Sequence, residues 1–374
     1  MARQLIASPF LGTHLVVSPG RRNGVKIPPS RYAELRSAPA GATVPGWLAE
    51  AAGSAWGISI SGRPLSECVI VRAPSALGYG RASYEVNMGC NYACRHCYLG
   101  LKEFAGLDWP AREQILSVMR EAGVLWLQLT GGEPLIDRLF PATYARAFDH
   151  GMLMEILTNG SRLSSPAILD LLTACPPHKV TLSVYGATEA SYDGLTQRRG
   201  AYKAFLKGLG AAHEAGLPLE LNIVVTTDNA GEVDAMHAIG EQLGIPHRDY
   251  RNMSPTIHGG AEPLASQSLP HLTMPRPFTG CDAGHTSFHV DPHGNASICK
   301  IGRDPSIPLA QEGAEGLLRL GGIADGLLRR QGGCAGCGLS ASCGTCMPLA
   351  AKYRKARAPL ERFCQHGRKR EVTG

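Results

Sequence analysis

Residues 83–98 read SYEVNMGCNYACRHCY, a strand-like run that passes through Gly89 into three thiols, Cys90, Cys94 and Cys97. Three is one thiol more than a disulfide uses and one fewer than a closed four-thiolate zinc site. Three thiolates can instead hold three irons of a cubane 4Fe–4S cluster and leave the fourth iron to an outside ligand. Soft thiolates suit zinc and iron–sulfur clusters about equally, so a zinc site that adds His96 stays open at this point. The adjacency of His96 and Cys97 is awkward for one tetrahedral ion.

Outward from that loop the pattern alternates. Strands are expected at 83–88, 124–130, 153–158, 179–184, 219–226 and 247–253, and helices at 112–122, 143–150, 166–173, 202–215 and 230–243. Near-continuous apolar strands alternating with helices predict an α/β fold with a parallel sheet covered by helices. Six repeats rather than eight predict an open, partial (β/α)6 TIM-like barrel over 81–255, with ligands at the C-terminal ends of its strands. The cysteine loop follows the first strand and therefore lies at that mouth.

The flanks differ. Residues 1–80 predict a small α+β unit, with THLVVS and GVKI around a turn, short helices at 30–37 and 47–56, and CVIVR as a closing strand. Residues 256–280, rich in Pro, Gly, His and Ser, read as a linker. Residues 281–374 carry seven cysteines and few long apolar stretches, so staples must make up for a small core.

The chain has 374 residues, 12 cysteines and a formal charge of +6. Eight basic residues and one acid fall between Lys352 and Arg370, so the rest is close to neutral and the excess reads as a solvated tail. That tail lacks the interleaved aromatics of a single-strand nucleic-acid binder. No apolar run reaches membrane-spanning length, and the start of the chain lacks a signal-peptide pattern. Clustered cysteines in such a chain point to metal or cluster ligation in a reducing cytoplasm, not to a secreted disulfide scaffold. Cys68 and Cys175 stand apart and read as small buried apolar residues.

The next strands also end in marked sequences. Thr130-Gly131-Gly132-Glu133-Pro134 closes the second, where two glycines let the backbone approach a ligand closely. Thr158-Asn159-Gly160 closes the third. Ser183-Val184-Tyr185-Gly186 closes the fourth, and Arg198-Arg199-Gly200 opens the helix beyond. CxxxCxxC, GGEP, TNG and SxYGAT, each at the end of a successive strand, resemble the radical S-adenosylmethionine (SAM) superfamily over about residues 83–255. The resemblance implies a 4Fe–4S cluster on Cys90, Cys94 and Cys97 whose open iron chelates SAM, and cleavage of SAM to a 5′-deoxyadenosyl radical. It implies that Gly131, Gly132 and Glu133 hold the methionine amino group, with Thr158 and Asn159 at the same mouth. Ser183 is then expected at the ribose or carboxylate and Arg199 at the carboxylate. The orientation of Asn222 depends on register. His96 departs from the family's usual aromatic residue before the third cysteine.

In the C-terminal part, Asp291-Pro292-His293-Gly294 fits a type I turn between strands at 287–290 and 296–299. Cys334, Cys337, Cys343 and Cys346 alone would also suit one zinc site. Beside the barrel, the spacing resembles the SPASM extension of radical SAM peptide-modifying enzymes, apart from the two-residue gap between Cys343 and Cys346. That resemblance implies one auxiliary 4Fe–4S cluster on Cys334, Cys337, Cys343 and Cys364. A second would rest on Cys281, Cys299 and Cys346, with an open iron or with Asp282 or His285 as fourth ligand.

Residues 1–80 resemble the winged-helix-like leader-recognition units fused to ribosomal-peptide maturases, which bind a peptide as an added strand. The expected activity is hydrogen abstraction from a precursor peptide, forming a thioether or carbon–carbon crosslink, with flavodoxin or ferredoxin as reductant. Epimerisation would need a thiol hydrogen donor such as Cys68 or Cys175. Formylglycine formation would need a carboxylate base, with Asp193 as a weak candidate on a loop. An iron–sulfur electron carrier or zinc-ribbon module is the non-catalytic alternative. Neither a membrane nor a nucleic acid is expected as partner.

Overall fold

The computed structural model describes residues 4–100, 103–273 and 276–367. The chain opens with β1 (Leu5–Phe10), β2 (Thr13–Val17), β3 (Gly24–Ile27), α1 (Pro29–Arg36), α2 (Gly46–Trp56), α3 (Leu65–Cys68) and β4 (Val69–Val71). These strands form one sheet in the order β3-β2-β1-β4, with β4 parallel to β1. The sequence pattern anticipates β2 and β3 but not β1, whose Pro9 argues against a strand interior. Cys68 is fully buried in this unit's own core, beside Leu48 and Val69. Ile6 and Val17 pack against Leu125 and Leu153 of the next unit, and Arg72 Nη2 donates to the Val124 carbonyl at 2.7 Å.

The alternating region folds as β5 (Arg81–Glu85), α4 (Trp109–Glu121), β6 (Trp126–Thr130), α5 (Phe140–Asp149), β7 (Leu153–Thr158), α6 (Pro166–Ala174), β8 (Lys179–Val184), α7 (Glu189–Thr196), α8 (Ala201–Glu214), β9 (Leu219–Val224), α9 (Val233–Gln242) and β10 (His247–Tyr250). β5 to β10 are parallel and neighbour each other in sequence order. Right-handed crossovers that all step in one direction place the connecting helices on one face of such a sheet. That face is apolar: Tyr84, Leu129, Ile156 and Leu182 join Ile115 of α4 and Phe205 of α8 in one core. The opposite face carries polar residues in register, with Ser83, Gln128 and Glu155 across β5–β7 and Ser183, Asn222 and Arg248 across β8–β10.

Two features differ from the expectation set by the sequence. The stretch after Ser183 contains α7, started by a capping box in which Thr188 accepts from the Ser191 amide. Asp193 accordingly lies in a helix, and its carboxylate accepts from the Gly200 and Tyr202 amides at the start of α8. The sheet also continues past β5. The hairpin of β11 (Ser287–Val290) and β12 (Asn295–Ser297) pairs through β11, parallel, with β5, and β13 (Ile307–Pro308) follows on β12. The full order is β10-β9-β8-β7-β6-β5-β11-β12-β13.

The 256–280 stretch makes contacts on both sides. The Ile257 amide donates to Tyr98 O at 2.8 Å, the Thr227 amide donates to Ser266 O at 3.0 Å, and the Phe278 amide donates to Cys343 O at 2.9 Å. Beyond β13 come α10 (Leu309–Glu312), α11 (Leu320–Leu328) and α12 (Met347–Lys355), with short 3-10 turns carrying the cysteines between α11 and α12. Within the basic stretch, Lys352 Nζ donates to the Ile257 carbonyl; Arg368, Lys369 and Arg370 lie outside the described residues. Among the described residues, no helix is long and apolar enough to cross a membrane.

Candidate active site

The site sits where β5 to β8 end. Past β5 the chain stays on β6 for two more bonds, Val86 amide to Thr130 O at 2.9 Å and Gly132 amide to Asn87 O at 3.0 Å, before the Met88 amide turns to Ala105 O at 3.0 Å. The chain then enters the cysteine loop. None of the twelve cysteines forms a disulfide, and Cys90, Cys94 and Cys97 are all half-buried. Burial raises the Tyr185 phenol well above 10, and the neighbouring Cys94, Cys90 and Cys97 add to the shift. The Tyr92 amide points at Cys90 Sγ at 3.4 Å. The Ala93 and Arg95 amides donate to the Thr196 and Leu195 carbonyls at the end of α7, so this helix holds the loop. His96 packs its ring 5.3 Å from that of Tyr185.

Gly131 and Gly132 lie tightly against the start of the cysteine loop. A Cβ on Gly131 would run into Asn87 O, and one on Gly132 into the Met88 and Gly89 carbonyls. The Glu133 amide donates to Gly89 O at 2.9 Å. The glycines therefore let the end of β6 lie directly on the strand-to-loop junction. Glu133 is buried and joins two motifs: it accepts from Thr158 Oγ1 at 2.7 Å, the Asn159 amide at 2.7 Å and the Leu135 amide at 3.0 Å. Burial pushes its carboxyl up to about 7, against the pull of those three hydrogen bonds. Asn159 Nδ2 in turn donates to Asn91 Oδ1 at 2.9 Å, reaching back into the cysteine loop. GGEP, TNG and the cysteine loop are thus one hydrogen-bonded unit.

Ser183 is half-buried with its hydroxyl against the Tyr185 phenol. Its register partner Asn222 shares its face, away from the helices. Arg199 is exposed and makes no ion pair among the described residues, so it is not gathered with the others. The turn after β8 is clamped by residues that carried no recognised motif. Asn229 Nδ2 donates to Tyr185 O at 2.8 Å, and Glu232 accepts from the Ala187 amide at 2.8 Å and from Thr188 Oγ1 at 3.0 Å.

A polar column on the helix-free face carried no motif either. Glu85, with 0% exposure, is gripped by Arg303 through two bonds of 2.7 Å and touched by Tyr98 OH at 3.4 Å. His289 of β11 lies 3.6 Å from Glu85 and bonds Ser83 at 2.8 Å. Burial alone would raise Glu85, but the hydrogen bonds and charges of His289 and Arg303 outweigh it and hold the carboxyl down to about 2. Lys300 Nζ donates to Gln128 Oε1 at 2.6 Å, and burial lowers its ammonium to about 8 despite the pull of Glu85. A carboxylate between Tyr84 and Val86, just before the cysteine loop, was the available signal for this column.

The seven C-terminal cysteines fall into two groups. Cys281, Cys299 and Cys346 are near one another: burial raises the Cys346 thiol, and Cys299 and Cys281 add to it. The Ala283 amide points at Cys281 Sγ at 3.4 Å and the Gly302 amide at Cys299 Sγ at 3.2 Å. Asp282 is exposed, while His285 is occupied with Asp325 at 2.9 Å. Cys334, Cys337, Cys343 and Cys364 share the knot of 3-10 turns, where Thr345 Oγ1 donates to Phe363 O at 2.8 Å and Cys337 Sγ lies 3.2 Å from His366 Nε2. Thiols with backbone amides aimed at their sulfurs fit iron–sulfur ligation, in which such bonds tune the cluster.

Residues 84–238 match the radical SAM superfamily. The PqqA peptide cyclase of Granulibacter bethesdensis is 28% identical over 172 residues, covering 45% of this chain and 46% of that protein. The chain thus spans about half the length of that relative. The AdoMet-dependent heme synthase of Nitratidesulfovibrio vulgaris is 23% identical over 308 residues, 78% of this chain and 82% of its own. Among solved structures, SuiB of Streptococcus suis superposes with a TM-score of 0.60 at 14% identity, covering 97% of this chain and 99% of SuiB. The enzyme anSMEcpe, bound to AdoMet and a peptide, gives 0.52 at 12% identity, covering 75% and 96%. At these identities the structural matches show a shared fold.

Proposed function

Because the chain carries a radical SAM domain over residues 84–238, we propose that it is an enzyme that modifies a ribosomally made precursor peptide. The carrying observation is the hydrogen-bonded unit of Glu133, Asn159 and Asn91 that ties the loop of Cys90, Cys94 and Cys97 to the strand ends. Radical SAM enzymes use a 4Fe–4S cluster and SAM; the cluster supplies the electron that splits SAM into methionine and a 5′-deoxyadenosyl radical. In our reading Cys90, Cys94 and Cys97 hold that cluster at the mouth of a partial barrel. Glu133, poised to hold a proton near neutral pH, gives it up when an ammonium group sits beside it, so the charge of the methionine end is matched where water is excluded. Ser183 and Asn222 face the same space.

We place the peptide against the helix-free face, where Gln128, Lys300 and Arg303 offer polar groups and the buried Glu85 holds Arg303 in position. Cys334, Cys337, Cys343 and Cys364 would hold one auxiliary cluster, and Cys281, Cys299 and Cys346 another. A flavodoxin or ferredoxin is the expected electron donor. The free edge of β3 offers a strand-addition site for a leader segment.

Two observations favour a thioether or carbon–carbon crosslink over the alternatives. Cys68 is sealed in the N-terminal core, and Cys175 follows α6 just before β8 begins, at the end of the sheet away from Cys90, Cys94 and Cys97, so neither thiol is placed as the hydrogen donor that epimerisation requires. Glu85, held down to about 2 by Arg303 and His289, is a poor base for formylglycine formation. The test is anaerobic reconstitution followed by dithionite and SAM. About four irons should accumulate per cubane, and 5′-deoxyadenosine should appear with the wild type and not with Cys97→Ala. Stoichiometric zinc without SAM cleavage would overturn the reading. A precursor peptide that loses one pair of hydrogens would indicate a crosslink, and an unchanged mass would indicate epimerisation.

A further inference from the structure

The far edge of the parallel sheet carries a second set of metal-type donors, unconnected to the cysteines. His237 lies on α9, and His247 and Asp249 lie two apart on β10, hence on one face of that strand. One donor atom from each of the three falls within 4.8 Å of the others. The two imidazoles are nearly parallel, 15° apart with centroids 4.6 Å apart, and His237 Nε2 is 2.8 Å from Asp249 Oδ1. All three side chains are largely shielded, with exposures of 23%, 24% and 16%. Arg251 takes the other oxygen of Asp249, Oδ2, through Nε at 2.9 Å and through Nη2. The carboxylate is thereby fixed with Oδ1 turned to the histidines, the arrangement in which an outer partner orients a metal ligand. On α9, Glu241 is one turn beyond His237 on the same side, and its Oε1 is 3.8 Å from His247 Nε2.

We propose that His237, His247 and Asp249 bind one divalent transition-metal ion, with Zn2+ as the representative, and that Glu241 completes the shell. Two imidazoles and carboxylate oxygens suit zinc, nickel or cobalt, whereas magnesium and calcium prefer oxygen alone. Metal–ligand bonds of about 2.0–2.2 Å set neighbouring donors of a tetrahedron about 3.3 Å apart, so the His237–Asp249 contact opens by about half an ångström on binding. The ion replaces that hydrogen bond and ties α9 to the last parallel strand, whose outer edge has no further strand among the described residues.

The experiment uses the full chain after anaerobic iron loading, so that thiols are occupied before Zn2+ is added. One tightly held zinc per chain is expected, with a nitrogen and oxygen shell in zinc-edge X-ray absorption. Affinity should fall at least ten-fold in His247→Gln, and by about 10–100-fold in Arg251→Ala, which only orients the carboxylate. Iron content should stay unchanged in both, which separates this outcome from any failure of the radical reading. A sulfur-only zinc shell in the wild type, or equal zinc affinity in His247→Gln, would overturn the proposal. The wild-type spectrum decides alone if a variant does not fold.

Discussion

Glu133 shows what a single buried carboxyl does here. Its motif was legible, because two glycines before an acidic residue at a strand end stand out. Its partners were not, because Thr158 and the Asn159 amide come from another strand, brought close only by the pairing of β6 with β7. A carboxyl whose folded value is raised to about 7 favours the protonated state in the folded protein. Its contribution is therefore full below the unfolded value of 4.5 and is lost as pH rises through about 7. A tenfold change in proton affinity corresponds to about 1.4 kcal/mol, so wild type should lose about 3 kcal/mol relative to Glu133→Gln across that window. Urea midpoints at the two ends of it measure the difference. SAM binding should also release a proton from the wild type and not from Glu133→Gln, as read by calorimetry in buffers of different ionisation enthalpy. Glu85 was missed for a related reason: Arg303, the residue that neutralises it, is over two hundred positions away.

Among elements, period and composition placed all six parallel strands to within a few residues, because most of them turn an apolar residue toward the helices at every second position. They did not reveal α7, a short helix behind a capping box, nor β1, which contains Pro9. The junction of β5 with the cysteine loop depends on two devices that can be tested. Gly132→Ala would drive a methyl group into the Met88 and Gly89 carbonyls. The loop should shift, and the variant should retain about four fewer irons per chain after reconstitution than wild type, measured by iron analysis. Arg112 of α4 is buried and holds Asp137 through contacts of 3.0 and 2.7 Å while donating to Val86 O at 3.0 Å. Arg112→Ala leaves Asp137 charged and buried alone, at a cost of about 3–5 kcal/mol. Thermal or urea unfolding of the iron-loaded protein should show that loss.

For the whole molecule, the hardest feature to foresee was the parallel pairing of β11 with β5. Periodicity is local, and this contact joins positions about two hundred residues apart in a segment whose cysteines suggested a separate appendage. Phe288 and Val290 enter the same apolar core as Ile115. We therefore expect residues 81–367 to unfold in one transition, and limited proteolysis to yield no stable fragment cut between 256 and 268. Two separate calorimetric transitions would contradict this. The same pairing sets a length. Cys90 follows the C-terminal end of β5, whereas Ser287, a few residues after Cys281, is level with Arg81 at its other end. β12 returns antiparallel toward that level before reaching Cys299. Five strand residues at about 3.3 Å each span roughly 13–17 Å, so β5 acts as a ruler between two thiol groups. If each thiol group holds a cluster as proposed, the length of β5 sets how far an electron must travel between them.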